Sequence, residues 1–293
     1  MKPFLKWAGG KRKILHLILP RIITNLTKDS TFIEPFVGAG SVFLELKNKN
    51  VLINDLNKDL IETYKVIKQE PSKLIKLLEI HKSNHSKDYF YKIRQLDRDI
   101  NNYSDLSDVE KSARLIYLNK TCYNGLYRVN KKGEFNAPYG YYKNPAIYDE
   151  ENIYEISNYL NESNIEFKNE DFDFVLKYAK SNDFVYFDPP YDYDKKGFSN
   201  YQKDGFNDFD LNRLKDVCDS LIQSGVNVLI SNHATEKVLS LFGDEKYQII
   251  DITYQIDELD VQRSIGSSVA SRKKVREVLI YGQRKVNTIS AGE

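Results

Sequence analysis

Residues 184–187 read Phe-Val-Tyr-Phe, four apolar positions without a polar interruption, bounded by Asn182 and Asp183 before them and by Pro189 and Pro190 after. An unbroken aromatic and β-branched run of this length fits a strand covered on both faces, and consecutive prolines, which lack an N–H and fix φ, end it. Short apolar runs of the same kind at residues 31–40 (TFIEPFVGAG), 51–53, 165–168, 227–231 and 276–281 predict further strands. Between them the spacing turns helical. Residues 14–23 predict a helix interrupted or ended near Pro20, residues 56–120 interleave charged and apolar positions, and residues 211–223 predict an amphipathic helix. Strands alternating with helices predict an α/β chain built on a doubly wound, Rossmann-like sheet.

One stretch departs from that pattern. Residues 121–143, TCYNGLYRVNKKGEFNAPYGYYK, set short aromatic pieces between Asn-Gly, Lys-Lys-Gly and Pro-Tyr-Gly, which predicts a β-hairpin with its tip near Lys132 and Gly133. Arg128, Asn130 and Lys132 stand among its tyrosines, so it reads either as a Tyr-rich exposed loop or as a hairpin that enters a DNA groove. Residues 58–159 are expected to be a helical and β-hairpin insert in a domain formed by residues 1–57 and 160–293.

Composition changes this picture little. With 41% hydrophobic and 29% charged residues the chain has the balance of a globular protein. A net charge of +1 neither requires nor excludes a nucleic-acid partner, so basic surface has to be local. The segment RSIGSSVASRKKVR at residues 263–276, with Arg272 and Lys273, is one such place, suited to backbone phosphates. Cys122 and Cys218 form no CxxC pattern, and His81 and His85, spaced i and i+4, have no third ligand beside them and read as a solvated pair. No metal is expected. The start MKPFLKWAGGKRK lacks a signal-peptide core and no segment reaches the roughly 18 apolar residues of a membrane span, so a cytoplasmic protein without a membrane partner is expected.

The candidate chemistry lies where the strands end. The run at residues 31–40 passes into Gly38-x-Gly40, but the third glycine of a dinucleotide fingerprint is replaced by Phe43. With Asp55 after the next strand as a ribose acceptor, the pattern favours a nucleoside cofactor without phosphates, S-adenosyl-L-methionine. An acid and an aromatic at Asp171 and Phe172 can hydrogen-bond and cover an adenine ring. At Asp188-Pro189-Pro190-Tyr191 a carboxylate, a carbonyl held outward by the prolines and a flat ring suit an exocyclic amine such as adenine N6. A strand ending in a stiff turn would leave the same four residues. The polar loop at residues 192–210 is a place for a lid, and His233 is read as packing beneath the site.

Four segments in order, FLKWAGGK, FIEPFVGAGSVF, YNGLYRVNKKGEFNAPYG and DPPY, together with ISNHAT at 230–235 and SRKKVREVL at 271–279, resemble the DNA adenine-N6 methyltransferase (Dam) family of the D12 class. The resemblance runs from Pro3 to about Leu279. It implies an S-adenosyl-L-methionine-dependent methyltransferase sheet, double-stranded DNA as partner, transfer to adenine N6 by base flipping and direct displacement, S-adenosyl-L-homocysteine as product, and GATC as the usual target. It also implies that the insert at residues 58–159 is a DNA-recognition insert in a catalytic domain formed by residues 1–57 and 160–293. By the same resemblance Trp7, Lys11, Asp55 and Asp188 line the cofactor site, with Glu34, Pro35, Gly38, Gly40, Asp171 and Phe172 around it. Lys6 reaches a base at the edge of the target, and Tyr123, Asn124, Leu126 and Arg128 match the recognition hairpin, with Arg128 the reader of a guanine. Tyr141 stands where close relatives often carry Arg, which leaves specificity for a longer site such as GATATC open. A non-catalytic DNA-binding protein on the same fold would not need both the cofactor carboxylates and an intact Asp-Pro-Pro-Tyr. A monomer is expected.

Overall fold

Seven strands form one mixed sheet in the order β3-β2-β1-β4-β5-β7-β6 in a computed structural model that describes residues 1–7, 9–190, 206–244, 251–262 and 274–284. The strands are β1 (Phe32–Glu34), β2 (Asn50–Asn54), β3 (Asn164–Lys168), β4 (Phe184–Phe187), β5 (Asn227–His233), β6 (Ile252–Gln262) and β7 (Lys274–Arg284). The first five run parallel, while β7 lies antiparallel to both β5 and β6. Chain order reverses direction between β1 and β4, which are hydrogen-bonded neighbours with Phe32 opposite Phe184. A sheet of this kind opens a crevice beyond the carboxyl ends of those two strands.

Eleven helices surround the sheet among the described residues: α1 (Leu15–Asn25), α2 (Phe43–Leu46), α3 (Lys58–Gln69), α4 (Pro71–Ser83), α5 (Lys87–Arg94), α6 (Ile100–Ser104), α7 (Asp108–Thr121), α8 (Glu150–Glu162), α9 (Val175–Tyr178), α10 (Asp208–Gln223) and α11 (Glu236–Gly243). Alternation along the strands sorts the side chains into two cores. Phe32, Phe184, Tyr186, Leu229 and Leu279 pack with α1, α3, α7 and α8 on one face. Ile33, Val185, Phe187, Ile230 and Ile280 pack with α10 and α11 on the other. Both faces are thus covered, which is why the strands read as continuous apolar runs. At the start of β4, the buried Asp183 carboxylate accepts from Thr31 N at 2.8 Å and from Lys180 N at 2.8 Å, fixing β1 against β4.

Several expectations are corrected. Pro20 neither ends nor interrupts α1; it lies inside the helix, which the fully buried Ile18 and Ile22 hold in place while the Arg21 guanidinium donates to Leu17 O at 2.7 Å. His81 and His85 are not a solvated pair. His81 stacks on Tyr117 with ring centroids 4.9 Å apart, and His85 Nδ1 lies 2.9 Å from the Tyr117 hydroxyl. Burial in this tyrosine cluster lowers the His81 pKa to about 4, so it stays neutral at ordinary pH. Residues 121–143 do contain a short antiparallel hairpin: Val129 bridges Phe135, Asn130 N donates to Glu134 O and Asn136 N to Arg128 O, both at 2.9 Å, and Cys122 bridges Tyr139 further back. The tip is where the turn chemistry places it: Gly133, at φ +82°, donates to Asn130 O at 2.9 Å. Strands β5 and β7 are longer than the apolar runs that announced them, and β6 was not anticipated at all.

Candidate active site

The ends of β1, β2 and β4 build one cleft, beginning with Asn54, the last residue of β2. Its Nδ2 donates to Pro35 O at 2.9 Å and to Glu170 O at 3.0 Å, while its Oδ1 accepts from Glu170 N at 2.8 Å. One buried amide therefore ties the exits of β1 and β3 to that of β2. Beyond β1 the chain turns through Gly38 and Gly40, both at positive φ (+48° and +73°), and Gly40 N donates to Val37 O at 2.8 Å. Asp55 closes this turn from the next strand, accepting from Gly38 N at 3.0 Å and from Asn57 N at 2.9 Å. The Tyr64 hydroxyl donates to Gly38 O at 3.0 Å. Trp7 lies against Gly38 so closely that a Cβ there would stand 2.9 Å from its Cδ1, and its far side stacks on Tyr127 at 5.2 Å.

Glu34 ends β1 and Asp188 follows β4, on the same face as Phe184 and Tyr186. Lys11, carried on a single 3-10 turn at Lys11–Lys13, inserts its buried ammonium 3.1 Å from Asp188 Oδ1 and 3.8 Å from Glu277 Oε2 of β7. Burial holds the Glu34 carboxyl well above the ordinary carboxylate range, and the Asp188 charge pushes it further, against the hydrogen bond from Phe43 N at 3.2 Å. Burial likewise raises Asp55 to about 6, opposed by the N–H groups of Asn57 and Gly38. Two acids that hold their protons more tightly than usual mark the carboxyl ends of β1 and β2 as a candidate site. Such raised values cost stability: the contribution is intact below the unfolded-state pKa and is lost as pH rises through the folded value. Glu34→Gln retains an acceptor for Phe43 N but no charge, so its melting temperature relative to wild type is expected to be higher at pH 7.5 than at pH 5. Equal differences at both pH values would refute this.

Asp171 and Phe172 are placed differently from an open adenine shelf. The Asp171 carboxylate is held by Arg213 at 2.8 Å, and Phe172 is 4% exposed, packed on Phe36 at 5.6 Å with the Arg213 guanidinium 4.8 Å from its ring. The half-buried Phe36, just after β1, packs on Phe172 and on Phe187 at 6.4 Å, and sequence reasoning missed it. Pro35 and Pro189 are buried and Pro190 is half-buried. Tyr191, Arg272, Lys273 and most of the lid segment at 192–210 lie outside the described residues. His233, at the end of β5, is 8% exposed, its N–H donating to Asn232 Oδ1 at 2.8 Å.

The segment at 121–142 adjoins the cleft through Lys6. Fully buried Asn119 of α7 donates to Lys6 O at 2.8 Å and to Gly125 O at 3.1 Å and accepts from Lys6 N at 2.8 Å. That staple joins the N-terminal loop to the segment carrying Tyr123, Asn124 and Leu126. Its only mark in the sequence is a polar residue in the apolar run LIYLN. Tyr123 and Tyr141 are exposed (47% and 71%), and Asn124 and Tyr141 hold positive φ, 55° and 51°. The Lys6 ammonium lies 4.8 Å over Tyr142. Arg128 is half-buried and braced by Asn136, its Nε donating to Oδ1 at 2.6 Å. Asn130 is spent on the turn, accepting from Lys132 N at 2.9 Å and Glu134 N at 3.1 Å, whereas Lys132 is exposed. Among the described residues no group of three or more His, Cys, Asp or Glu could hold a metal ion, and no helix is long and apolar enough to cross a membrane.

Comparison with known proteins adds the chemistry. The sequence profile of the D12 class N6 adenine-specific DNA methyltransferases matches residues 7–257. The chain is 39% identical over 289 residues to the type II methyltransferase M1.LlaDCHI of Lactococcus lactis subsp. cremoris, covering 96% of each. It is 43% identical over 248 residues to the type II methyltransferase M.MjaIII of Methanocaldococcus jannaschii, covering 79% of this chain and 84% of that one. A DNA adenine methylase of Salmonella typhi is 33% identical over 292 residues, covering 98% and 97%.

Proposed function

The chain belongs to the D12 class N6 adenine-specific DNA methyltransferase family, and from that premise we propose that it methylates adenine N6 within GATC in double-stranded DNA after turning the target base out of the helix. At family level the reaction, its DNA substrate and its use of S-adenosyl-L-methionine follow directly. The observation that supports transfer to an amine is Asp188, placed after β4 at the switch point of the sheet, followed by two prolines and held 3.1 Å from buried Lys11; the choice of GATC rests on the resemblance.

The cleft fits the methyl donor on its own terms. Gly38 lets Trp7 approach where a Cβ would stand 2.9 Å from its Cδ1, and the Asp55 and Asp188 carboxylates outnumber the buried Lys11 ammonium beside them, which suits a cationic ligand. Trp7, Gly38, Gly40, Glu34, Pro35 and Asp55 would hold it, with Asp171 and Phe172 supporting the wall through Arg213 and Phe36. When bound, S-adenosyl-L-methionine supplies an electrophilic methyl group on a positive sulfonium. The chain's own task is to make the adenine amine a nucleophile. Its N6 lone pair is delocalised into the ring; an Asp188 carboxylate and a Pro189 carbonyl accepting its two N–H bonds draw the nitrogen towards tetrahedral geometry and aim it. Pro189 and Pro190 keep that carbonyl out of the sheet ladder, and Tyr191 is assigned the stacking face for the flipped base. Extrusion costs a few kcal/mol of stacking and pairing, offset by contacts in the pocket. Lys6, Tyr123, Asn124, Leu126, Arg128 and Lys132 face the duplex in this reading, with Asn130 shaping the turn and Arg272 and Lys273 contributing phosphate contacts.

The test is transfer of labelled methyl from S-adenosyl-L-methionine into matched duplexes containing GATC, GATATC or a scrambled site. Label at adenine N6 of the GATC duplex alone is expected. Label confined to GATATC would discard the specificity and keep the chemistry, and label in none would overturn the reading. With 2-aminopurine in place of the target adenine, fluorescence is expected to rise on binding; unchanged emission would remove base flipping.

A further inference from the structure

We infer that Glu277 is a positioning residue for methyl transfer, the carboxylate that takes up the Lys11 ammonium when Asp188 turns to the adenine amine. The inference rests on the role of Asp188 proposed above. Strand alternation supplies its geometry. Glu277 shares a face of β7 with Leu279, and that face joins the core containing Phe184 and Tyr186 of β4, the strand that leads into Asp188. In register Glu277 lies opposite His233 at the end of β5, so Asp188 and Glu277 flank β5 with Lys11 between them.

The two acids do not share Lys11 equally. At 3.1 Å Asp188 Oδ1 is within reach of an ammonium hydrogen bond, while Glu277 Oε2 at 3.8 Å is beyond it. That oxygen is buried and accepts no hydrogen bond, in a residue only 7% exposed. A buried carboxylate oxygen left without a donor is costly, and such groups are uncommon outside sites where another state satisfies them. The state that satisfies this one is a small shift of Lys11 away from Asp188. A shift of that kind is also what the reaction asks for, because a carboxylate fully engaged by a buried ammonium is a weaker acceptor for a neutral amine. Without the Glu277 charge, one of the two carboxylates beside Lys11 is gone and the ammonium is drawn further towards Asp188.

Glu277→Gln preserves shape and removes the charge. Its single-turnover methyl-transfer rate on the GATC duplex is expected to fall roughly ten- to hundredfold, the scale of a displaced reacting group. Cofactor affinity, read from emission of the single tryptophan, Trp7, is expected to stay within about threefold, and the melting temperature to stay near wild type. Glu277→Asp, which keeps the charge on a shorter stem, should recover part of the rate. An unchanged rate in Glu277→Gln would overturn the inference. A parallel loss of rate and cofactor affinity, or a large fall in melting temperature, would overturn it too, because Glu277 would then be holding the cleft together. Wild-type protein that transfers no methyl would instead remove the reading of Asp188 on which this rests.

Discussion

Asp188→Ala is expected to reduce methyl transfer by about a thousandfold or more while leaving the protein folded, the scale seen when a polar group aimed at a transition state is removed. The side chain is polar and 18% exposed, so little apolar packing is lost. Nor does its removal strand the buried Lys11, which keeps the Glu277 carboxylate 3.8 Å away. What disappears is one of the two acceptors proposed for the adenine amine, and with it about 4 kcal/mol of transition-state stabilisation at that fold-change. Asp188→Asn should retain slightly more activity, because its carbonyl still accepts one hydrogen bond, but its amide meets Lys11 with a donor. Losing the Asp188 charge also removes one of the influences that raise Glu34, so Glu34 should titrate lower in both variants. Single-turnover label transfer and circular dichroism together decide the matter: a folded Asp188→Ala protein that methylates DNA at a wild-type rate would end the assignment.

How much of this was legible in the chain differs residue by residue. The Phe-Val-Tyr-Phe run gave β4 at its observed bounds, because a strand buried on both faces has to be apolar throughout. The glycine turn was legible because Gly38 and Gly40 both need positive φ, whereas Asp55, read as a ribose acceptor, accepts from the N–H groups of Gly38 and Asn57, a bracing role set by contacts that the sequence does not show. Glu277 was not, since one acid among the basic residues of RKKVREV looks like a solvated charge until the sheet places it beneath Lys11. Asn119 was missed because its partners, Lys6 and Gly125, are brought together by tertiary structure. The tyrosine setting of His81 and His85 was hidden likewise: Tyr117 and Tyr139 come from other segments. Local pattern therefore carried the strands and the turn, while the residues that position the site were set by contacts across the fold.

Gly38→Val should abolish useful cofactor binding without unfolding the chain. A Cβ at this position would stand 2.9 Å from Trp7 Cδ1 and 3.2 Å from its Nε1. Trp7 has little room to retreat, because its ring stacks at 5.2 Å and 24° on buried Tyr127. The backbone is equally committed, with its N–H on Asp55 and its carbonyl on the Tyr64 hydroxyl, at φ +48°. A β-branched residue in that conformation costs roughly 1–2 kcal/mol before any clash. The clash then has to be relieved by moving Trp7, which the reading above places in the cofactor site. Affinity for S-adenosyl-L-methionine is expected to fall at least about a hundredfold, near 2.7 kcal/mol, with a melting temperature lower by about 5–10 °C. Gly133→Ala separates strain from contact: its φ is +82° but a Cβ there meets nothing within 4 Å. That variant should lose about 1 kcal/mol of stability and bind the cofactor as wild type does. Should Gly38→Val bind the cofactor normally with Trp7 emission unaltered, the cleft between Trp7, Gly38 and Asp55 would not be the cofactor site.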